Sequence, residues 1–396
     1  MAWKRSLSCE IILGFGLCFL IQGCATVNVA NIGEQGYQKA DDELRMFKRA
    51  EEFAEVIDAT NSIYSDLALD QYLNDLAKSL LSQEVKDSGI SIRIKVIKDP
   101  DFNAFTFGNG IMYIHTGILA ACENEAQLVS LMGHEIGHVL HRHALKEFRS
   151  TINKTAFISA LYGFGLAGTV VQLGTISTIS GYSQQQEYEA DRVSFEILRD
   201  HGYDVRESVK LFQILEEHLK SEEIKMPYFF STHPQVKARI VSFQDLIAKE
   251  QMPGQNRIID SDKFQVLTKA VRVLNMELLL SKGYFKTAEK FINAYIKQYP
   301  QDFDGYFWKG ELFRQRSDGD KPKNTRLKDA DWKIALANYD LALGKKSETA
   351  LAWKGKGLVY QKMGQTKDAG DAFRHYLDID PQAKDKAYIE RYLKKE

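Results

Sequence analysis

The sequence predicts a mainly α-helical protein in two parts, an α+β domain with a small β-sheet followed by an α-helical solenoid. Three observations lead to this fold class. Apolar residues recur at helical spacing over most of the chain, while residues 90–97 alternate apolar and polar side chains as a half-buried strand does. Near the C-terminus, small and aromatic residues repeat with a period of about 34 residues.

The composition excludes several classes of protein. The chain has 396 residues, of which 44% are hydrophobic, with 52 Lys and Arg against 53 Asp and Glu. Such a hydrophobic fraction with almost no net charge is atypical of disordered proteins. The balanced charge argues against binding nucleic acid by neutralising phosphates. The length predicts two or three domains, because single cores stop growing near ~250–300 residues.

The N-terminus has the pattern of a bacterial lipoprotein signal. A short positive region precedes an apolar run from Ile11 to Ile21, which is too short to span a bilayer. The run ends in Ile21-Gln22-Gly23-Cys24, which resembles a lipobox, so we expect removal of residues 1–23, a lipid on Cys24, and a tether over 24–44. An aspartate directly after the cysteine would resemble a signal for retention in the inner membrane. Because Ala25 stands there instead, the sequence favours location at the outer membrane. An ordinary secretory signal containing a cysteine is the alternative.

The small sheet is predicted from two neighbouring segments. Ile90 to Ile97 alternates isoleucine and valine with polar residues, which indicates a strand. Gly108-Asn109-Gly110 is a turn signal between two apolar segments, which indicates a β-hairpin. The elements expected before the histidine-rich helix are therefore helices from about Glu43 to Leu81, the strand Ile90–Ile97, and hairpin strands Phe102–Phe107 and Ile111–His115.

A metal-binding motif lies on the next predicted helix. Asn124 begins a capping pattern, and we expect its helix to run to about Phe148. This helix carries His134-Glu135-Ile136-Gly137-His138. Because a helix advances ~100° per residue, His134 and His138 lie on one face, one turn apart, and can bind one Zn²⁺. Glu135 points sideways, where it can reach a water on the metal and act as a general base.

A third ligand is expected in Glu187-Tyr188-Glu189-Ala190-Asp191. Glu187 and Asp191 are four residues apart and share one helical face, whereas Glu189 points away. A ligand at Glu187 would place Asp191 where it can accept a hydrogen bond from the far nitrogen of a zinc histidine. The alternative, a solvated acidic helix face, suits Glu189 best.

These motifs together resemble a known peptidase family. HEIGHVLHRH followed some fifty residues later by EYEAD is similar to family forty-eight of the metallopeptidases, which includes HtpX, the CAAX prenyl protease and the BepA type. The resemblance covers roughly residues 45–245. His141 departs from it, because the family more often has a small residue there. Further matches are Asp99-Pro100, Asn103-Ala104-Phe105, Thr232-His233-Pro234 and Arg239-Ile240.

The resemblance implies a zincin-like α+β metallopeptidase domain over residues 45–250. It implies that His134, His138 and Glu187 bind one zinc ion and that Glu135 is catalytic. It further implies endopeptidase action on misfolded or unassembled cell-envelope proteins, that is, outer-membrane protein quality control. Partners in outer-membrane β-barrel assembly follow from the same resemblance.

Three protein ligands leave one zinc position for water, whose pKa the ion lowers toward ~7. Glu135 would take a proton as this water attacks the scissile carbonyl and then give it to the leaving amine. His233 or Arg239 could stabilise the oxyanion. His233 could instead occupy the open zinc position and keep the enzyme latent, and the sequence leaves both possibilities open. Two further histidines follow the motif, and we interpret His141 as a polar residue near the cleft and place His143 on the opposite helix face.

The predicted hairpin also suggests a substrate site. The strand that begins with Asn103, Ala104 and Phe105 would present an open edge, where an extended peptide adds by main-chain hydrogen bonding. This mode of binding is largely independent of sequence and suits unfolded polypeptides. A closed structural hairpin is the alternative.

Two features lie between the histidine motif and the third ligand. Residues 155–186 contain no charged residue. A single membrane span there would place His138 and Glu187 on opposite sides of a bilayer, so we expect a hairpin, an apolar flap over the cleft or membrane, or a buried helix pair. Gly163 to Gly168 matches GxGxxG, but no strand of a βαβ unit precedes it, and no nucleotide is expected.

The C-terminal part fits three tetratricopeptide-like repeats over residues 269–396, after a linker at 251–268. Small residues let paired helices approach, and aromatic residues fill the space between them. We expect the array to hold a protein partner, with a purely structural solenoid as the alternative. The residues in register include Gly283, Ala288, Pro300, Tyr306, Gly310, Phe313, Ala335, Tyr339, Ala342, Trp353, Gly357, Tyr360, Gly364, Ala369, Phe373 and Pro381, before a capping helix from Lys384.

Two other functions compete with a peptidase. One is a periplasmic chaperone or assembly factor that acts mainly through the repeats. The other is a hydrolase at the lipid surface that uses the uncharged segment.

Overall fold

The computed structural model of the chain describes residues 29–150, 181–219, 233, 236–250, 257–318 and 325–394. The predicted lipidation site Cys24, the GxGxxG segment and most of the uncharged segment 155–186 lie outside these residues. Within the described ranges, no helix combines the length and apolarity that crossing a membrane requires. The described residues are mainly helical with one small mixed β-sheet, as predicted.

The elements fall into two groups along the chain. The first group contains α1 (Asp41–Asp58), β1 (Ile63–Tyr64), α2 (Leu67–Ser79), α3 (Gln83–Asp87), β2 (Arg93–Ile97), β3 (Ala104–Thr106), β4 (Ile111–His115), α4 (Thr116–Ala121), α5 (Glu125–Leu140), α6 (His143–Ser150), α7 (Gln184–Asp200), α8 (Arg206–Leu219) and α9 (Val236–Lys249). The second contains α10 (Asp262–Ser281), α11 (Phe285–Gln298), α12 (Phe303–Asp318), α13 (Thr325–Lys345), α14 (Ala350–Lys362), α15 (Thr366–Ile379) and α16 (Lys386–Leu393).

The sheet has the order β1-β2-β4-β3 among the described residues. β2 pairs parallel to β4, with Ile94 opposite Met112, and β3 pairs antiparallel to β4, with Phe105 opposite Tyr113. The predicted hairpin is therefore confirmed, although its first strand is shorter than predicted. β3 lies at the edge of this sheet, and its location matters for the site described below.

Helix α5 is the centre of the first core. All residues from Glu125 to Val139 are buried, and their side chains face the sheet, α7 and α8. The side chain of Asn124 caps the helix by accepting a hydrogen bond from the backbone N–H of Gln127 at 3.0 Å, as predicted. Because the histidine motif lies on this helix, its side chains are fixed by a well-packed core.

Two glycines set the distance between α5 and α7. A Cβ atom added to Gly137 would lie 2.7 Å from Ala190 Cα, and one added to Gly133 would lie 2.9 Å from Ser194 Cα. Any side chain at these two positions would therefore push the helix backbones apart. The close approach brings the carboxylates at the start of α7 next to the imidazoles on α5.

The expectation that the motif helix continues to about Phe148 is wrong. α5 ends at Leu140, and the chain reverses at Arg142, which has a left-handed backbone with φ of 54°. The buried Arg142 guanidinium explains the reversal, because it donates to the Glu43 carboxylate at 2.9 Å and to the carbonyl of Ala30 at 2.8 Å. The new helix α6 starts directly afterwards at His143.

The C-terminal helices pack in pairs in the way that the repeat pattern predicts. A Cβ atom on Gly310 of α12 would lie 2.6 Å from the ring of Tyr339 on α13. A Cβ atom on Gly357 of α14 would lie 2.5 Å from the ring of Phe373 on α15. Each pair therefore combines a glycine on one helix with a buried aromatic ring on the next.

The first helix of the C-terminal group also belongs to the first core. α10 begins at Asp262, inside the segment predicted as a linker, and its residues Phe264 and Val271 are fully buried against the first group of elements. Arg272 donates from Nη2 to the carbonyl of Cys122 at 2.9 Å. The predicted domain boundaries themselves stay predictions.

The contact between α5 and α7 leads to a test by Gly137→Ala. We expect this variant to lower the free energy of unfolding of the metal-free protein by about 1–3 kcal/mol, because the added methyl overpacks against Ala190. Urea unfolding measures this loss. Gly344→Ala is the matched control, since Gly344 is also helical but has no atom within 4 Å of the added Cβ. Equal stability of the two variants would contradict the close contact.

Candidate metal centre

Three side chains from α5 and α7 converge on one point. His134 Nε2 lies 3.0 Å from His138 Nε2. Glu187 completes the group, with Oε1 3.4 Å from His138 Nε2 and Oε2 3.6 Å from His134 Nε2. The three residues are buried, and their donor atoms lie within 4.8 Å of one another together with one atom of His233. The structure thus brings together the predicted ligands.

The donor atoms fit a zinc ion. In a tetrahedron with bonds of about 2.0–2.1 Å, two ligand atoms are about 3.3 Å apart, and the separations here scatter around that value. The far nitrogens of the two imidazoles face other partners, so their Nε2 lone pairs point toward each other. Two lone pairs in contact repel unless a proton or a cation lies between them, and two imidazoles with a carboxylate are donors that zinc favours.

The ionisation of these groups also suits metal binding. Burial and the positive charge of Arg239 hold the pKa of His134 well below its ordinary value, and burial also lowers the pKa of His138. Both rings are therefore neutral, as ligands must be. Burial alone would raise the pKa of Glu187, but His233, Arg239, His134 and a hydrogen bond with His138 hold it well below its usual range.

Asp191 and Arg239 lie directly behind the ligands. Asp191 Oδ1 is 2.9 Å from His134 Nδ1, the position that the sequence predicts for it. Arg239 holds this carboxylate through Nε at 2.9 Å and Nη2 at 2.6 Å, and its Nη1 lies 3.1 Å from Glu187 Oε2. The guanidinium of Arg239 thus contacts both Glu187, a predicted ligand, and Asp191, the hydrogen-bonding partner of the predicted ligand His134. This geometry favours a positioning role for Arg239 over a role as oxyanion donor.

Glu135 lies between the ligand group and the sheet edge. Its Oε2 accepts a hydrogen bond from Thr106 Oγ1 on β3 at 2.9 Å. Its Oε1 lies 3.5 Å from His233 Nε2, on the side of the ligands. Glu135 is almost fully buried, at 1% exposure. Its position is that of a base beside the metal centre.

His233 fills the remaining corner of the ligand group. Its Nδ1 lies 3.1 Å from His134 Nε2 and 3.0 Å from Glu187 Oε1, separations similar to those among the other donor atoms. The side chain is buried at 1% exposure. In this structure His233 therefore has the position of a fourth ligand.

The predicted substrate strand lies beside Glu135. Asn103, Ala104 and Phe105 precede Thr106 along the chain, and the side chains of all three are buried. Antiparallel pairing with β4 uses the carbonyl of Asn103 and the N–H of Phe107. Because the pairing alternates, the backbone groups of Ala104 and Thr106 point away from β4.

Sequence reasoning missed several neighbours of the site. His143, predicted on the opposite face of a continuous helix, instead contacts His138, because the chain reverses at Arg142. Glu189 is not simply a solvated residue that points away, since its carboxylate is 3.0 Å from His143 Nε2. Tyr182 stacks on His138 with ring centroids 3.9 Å apart. Thr106 carried no signal in the sequence beyond its place in the hairpin.

The chain matches a peptidase family over this region. Residues 67–247 match the profile of Peptidase family M48. The matched range contains every residue of the metal centre described above. Peptidases of this family depend on zinc, which agrees with the donor set.

Several relatives share the same region. The beta-barrel assembly-enhancing protease of Escherichia coli (strain K12) is 27% identical over 226 residues, which are 54% of this chain and 45% of the relative. The putative beta-barrel assembly-enhancing protease of Vibrio cholerae is 27% identical over 195 residues, 46% of this chain and 40% of the relative. Metalloprotease LoiP of Escherichia coli (strain K12) is 29% identical over 170 residues, 41% of this chain and 66% of the relative. The chain therefore spans less than half the length of the first two.

The ligand set leads to a test by Glu187→Gln. We expect this variant to bind zinc at least about 100-fold more weakly, which exceeds the usual loss on removing an outer partner of a ligand. Competition with a chromophoric chelator measures the affinity. Glu196→Gln is the matched control, because Glu196 lies on the same helix and pairs with the exposed Arg192 at 2.9 Å. Retention of zinc by Glu187→Gln would remove this residue from the ligand set.

Proposed function

We propose that this protein is a zinc-dependent metalloendopeptidase that hydrolyses misfolded or unassembled proteins of the cell envelope. The observation that carries the proposal is the convergence of His134, His138 and Glu187 within metal-binding distance, with Glu135 beside them. The match of residues 67–247 to the profile of Peptidase family M48 supports it.

In the proposed reaction, the zinc ion and Glu135 have different roles. His134, His138 and Glu187 would hold the zinc ion, which would supply a Lewis acid for the scissile carbonyl and lower the pKa of a water. Glu135 takes the proton of the attacking water and transfers it to the amine that leaves. The hydrogen bond from Thr106 to Oε2 fixes the carboxylate, so that Oε1 faces the side of the ligands. Asp191 and Arg239 hold His134 and Glu187 in place during these transfers.

The outer edge of β3 is the proposed substrate site. The backbone groups of Ala104 and Thr106 that point away from β4 would pair with an extended peptide, as a further strand of the sheet, once the groups that bury Ala104 in this structure move aside. Because Thr106 also contacts Glu135, a peptide bound at this edge passes directly beside the base. Recognition through the main chain requires an unfolded segment of the substrate and depends little on the substrate's sequence. Both properties suit misfolded or unassembled proteins.

The location and partners belong to the same proposal. The lipobox-like N-terminus and the similarity to beta-barrel assembly-enhancing proteases support the bacterial cell envelope. In this proposal Cys24 carries the lipid that anchors the chain to the periplasmic face of the outer membrane. The helical repeats hold a protein partner, for which the outer-membrane β-barrel assembly machinery is the candidate that the names of the relatives suggest.

Cleavage of an unfolded protein tests the peptidase. We expect Glu135→Gln to lower the rate of casein cleavage by about 100-fold or more, because the variant loses its general base. The rate is measured with and without a chelator, and zinc content is measured in parallel to show that the variant still binds metal. Glu196→Gln serves again as the control.

Two results would count against the peptidase. Equal background cleavage by the native protein and by Glu135→Gln would exclude it. Full rescue of an envelope defect in cells by Glu135→Gln would favour a chaperone or assembly factor that works through the repeats.

The position of His233 leads to a further test. Since its Nδ1 has the place of a fourth ligand, we expect it to block the position that substrate and water need. His233→Ala should then raise the rate of casein cleavage, and a tenfold rise would correspond to a blocking contact favoured by ~1.4 kcal/mol. A lower rate with unchanged zinc content would instead identify His233 as a donor to the oxyanion.

A further inference from the structure

A chain of hydrogen-bonding groups lies on the Nδ1 side of His138. His143 Nδ1 is 2.9 Å from His138 Nδ1, and His143 Nε2 is 3.0 Å from Glu189 Oε2. The His143 side chain is fully buried, whereas Glu189 is 29% exposed. The three residues therefore connect the metal centre to the protein surface through two hydrogen bonds.

Zinc binding allows only one placement of the hydrogens in this chain. If His138 Nε2 binds the metal, its single hydrogen is on Nδ1, and this N–H must donate to His143 Nδ1. His143 then carries its own hydrogen on Nε2, where the Glu189 carboxylate accepts it. In this placement the N–H of His138 donates to His143, and the N–H of His143 donates to Glu189. Neither hydrogen bond then sets two donors or two lone pairs against each other.

We propose that Glu189 and His143 form a relay that fixes the orientation and tautomer of His138 and so strengthens its bond to zinc. The relay rests on the zinc site proposed above. His143 and Glu189 are positioning residues in it, because neither reaches the metal. The centre then has two outer carboxylates, Asp191 behind His134 and Glu189, through His143, behind His138. A partner of this kind orients a histidine ligand and raises its basicity.

Contacts outside the metal centre orient both members of the relay. The left-handed turn at Arg142, held by Glu43, directs the chain back so that His143 faces His138. On α7, Gln185 donates from Nε2 to Glu189 Oε1 at 2.9 Å, which leaves Oε2 for His143. The orientation of both members is thus fixed from outside the metal centre.

A second metal ion is the competing explanation for these residues. His141, His143 and Glu189 have donor atoms close enough to hold a cation. A cation on His143 Nε2 would, however, move the hydrogen of that ring to Nδ1, where it would meet the N–H of His138. Zinc on His138 therefore excludes a metal on His143, and His141 Nδ1, 3.7 Å from Glu189 Oε2, takes no part in the relay.

The zinc affinity of the purified full-length chain tests the relay. We expect His143→Ala to weaken zinc binding by about 10-fold or more, as loss of an outer partner does. His143→Asn should restore most of this loss, because its Oδ1 can accept the hydrogen bond from His138 Nδ1. Glu189→Gln should fall between the native protein and His143→Ala. Affinity is measured by chelator competition, and thermal unfolding of the metal-free proteins reports any general loss of stability.

His141→Ala is the matched control and should bind zinc as the native protein does. Native affinity in His143→Ala, or equal losses in His143→Ala and His143→Asn, would overturn the relay. Two zinc ions per native chain, falling to one in His141→Ala and His143→Ala, would overturn it in favour of a second metal site. If the zinc affinities follow the expected order but no variant and no native protein cleaves casein, the relay is supported and only the proposed peptidase activity is contradicted.

Discussion

The distance between α5 and α7 is the constraint on which the rest of the centre depends. Gly133 and Gly137 let the two helices approach until a single added carbon would collide with the opposite backbone. Imidazole side chains are short, so a carboxylate on another helix reaches their donor atoms only at such a separation. The same approach serves both the ligand Glu187 and the outer partner Asp191, which lie one turn apart on α7. The packing of two backbones thus determines the coordination geometry.

The buried charges form a second constraint, which a divalent cation would satisfy. Glu135, Glu187 and Asp191 carry three formal negative charges in a nearly inaccessible region, and Arg239 supplies one positive charge. Burying an uncompensated excess of two negative charges is costly in a protein interior. A divalent ion held by neutral imidazoles brings the group to neutrality. The centre therefore depends on the ion for its stability as well as for its chemistry.

Local spacing allowed part of this site to be predicted from the sequence. His134, Glu135 and His138 share one helix, and Glu187 and Asp191 share another, so helical geometry alone determines their faces. The turn at Arg142 could not be predicted, because it depends on an ion pair with Glu43, 99 residues away in the chain. The long-range contacts of Arg142 decide where His143 lies, and the interpretation of Glu189 changes with them. Periodicity shows which face a residue occupies only while the helix continues.

Helix α10 is shared between the core of the first group of elements and the core of the repeats, and this has consequences for the evolution of the chain. Its Phe264 and Val271 complete the core of the first group of elements, and its Met276 and Leu279 belong to the core of the repeats. The helix therefore cannot be assigned to one side only. A recombination event that exchanged the repeats for another partner-binding module would have to retain this helix or supply an equivalent.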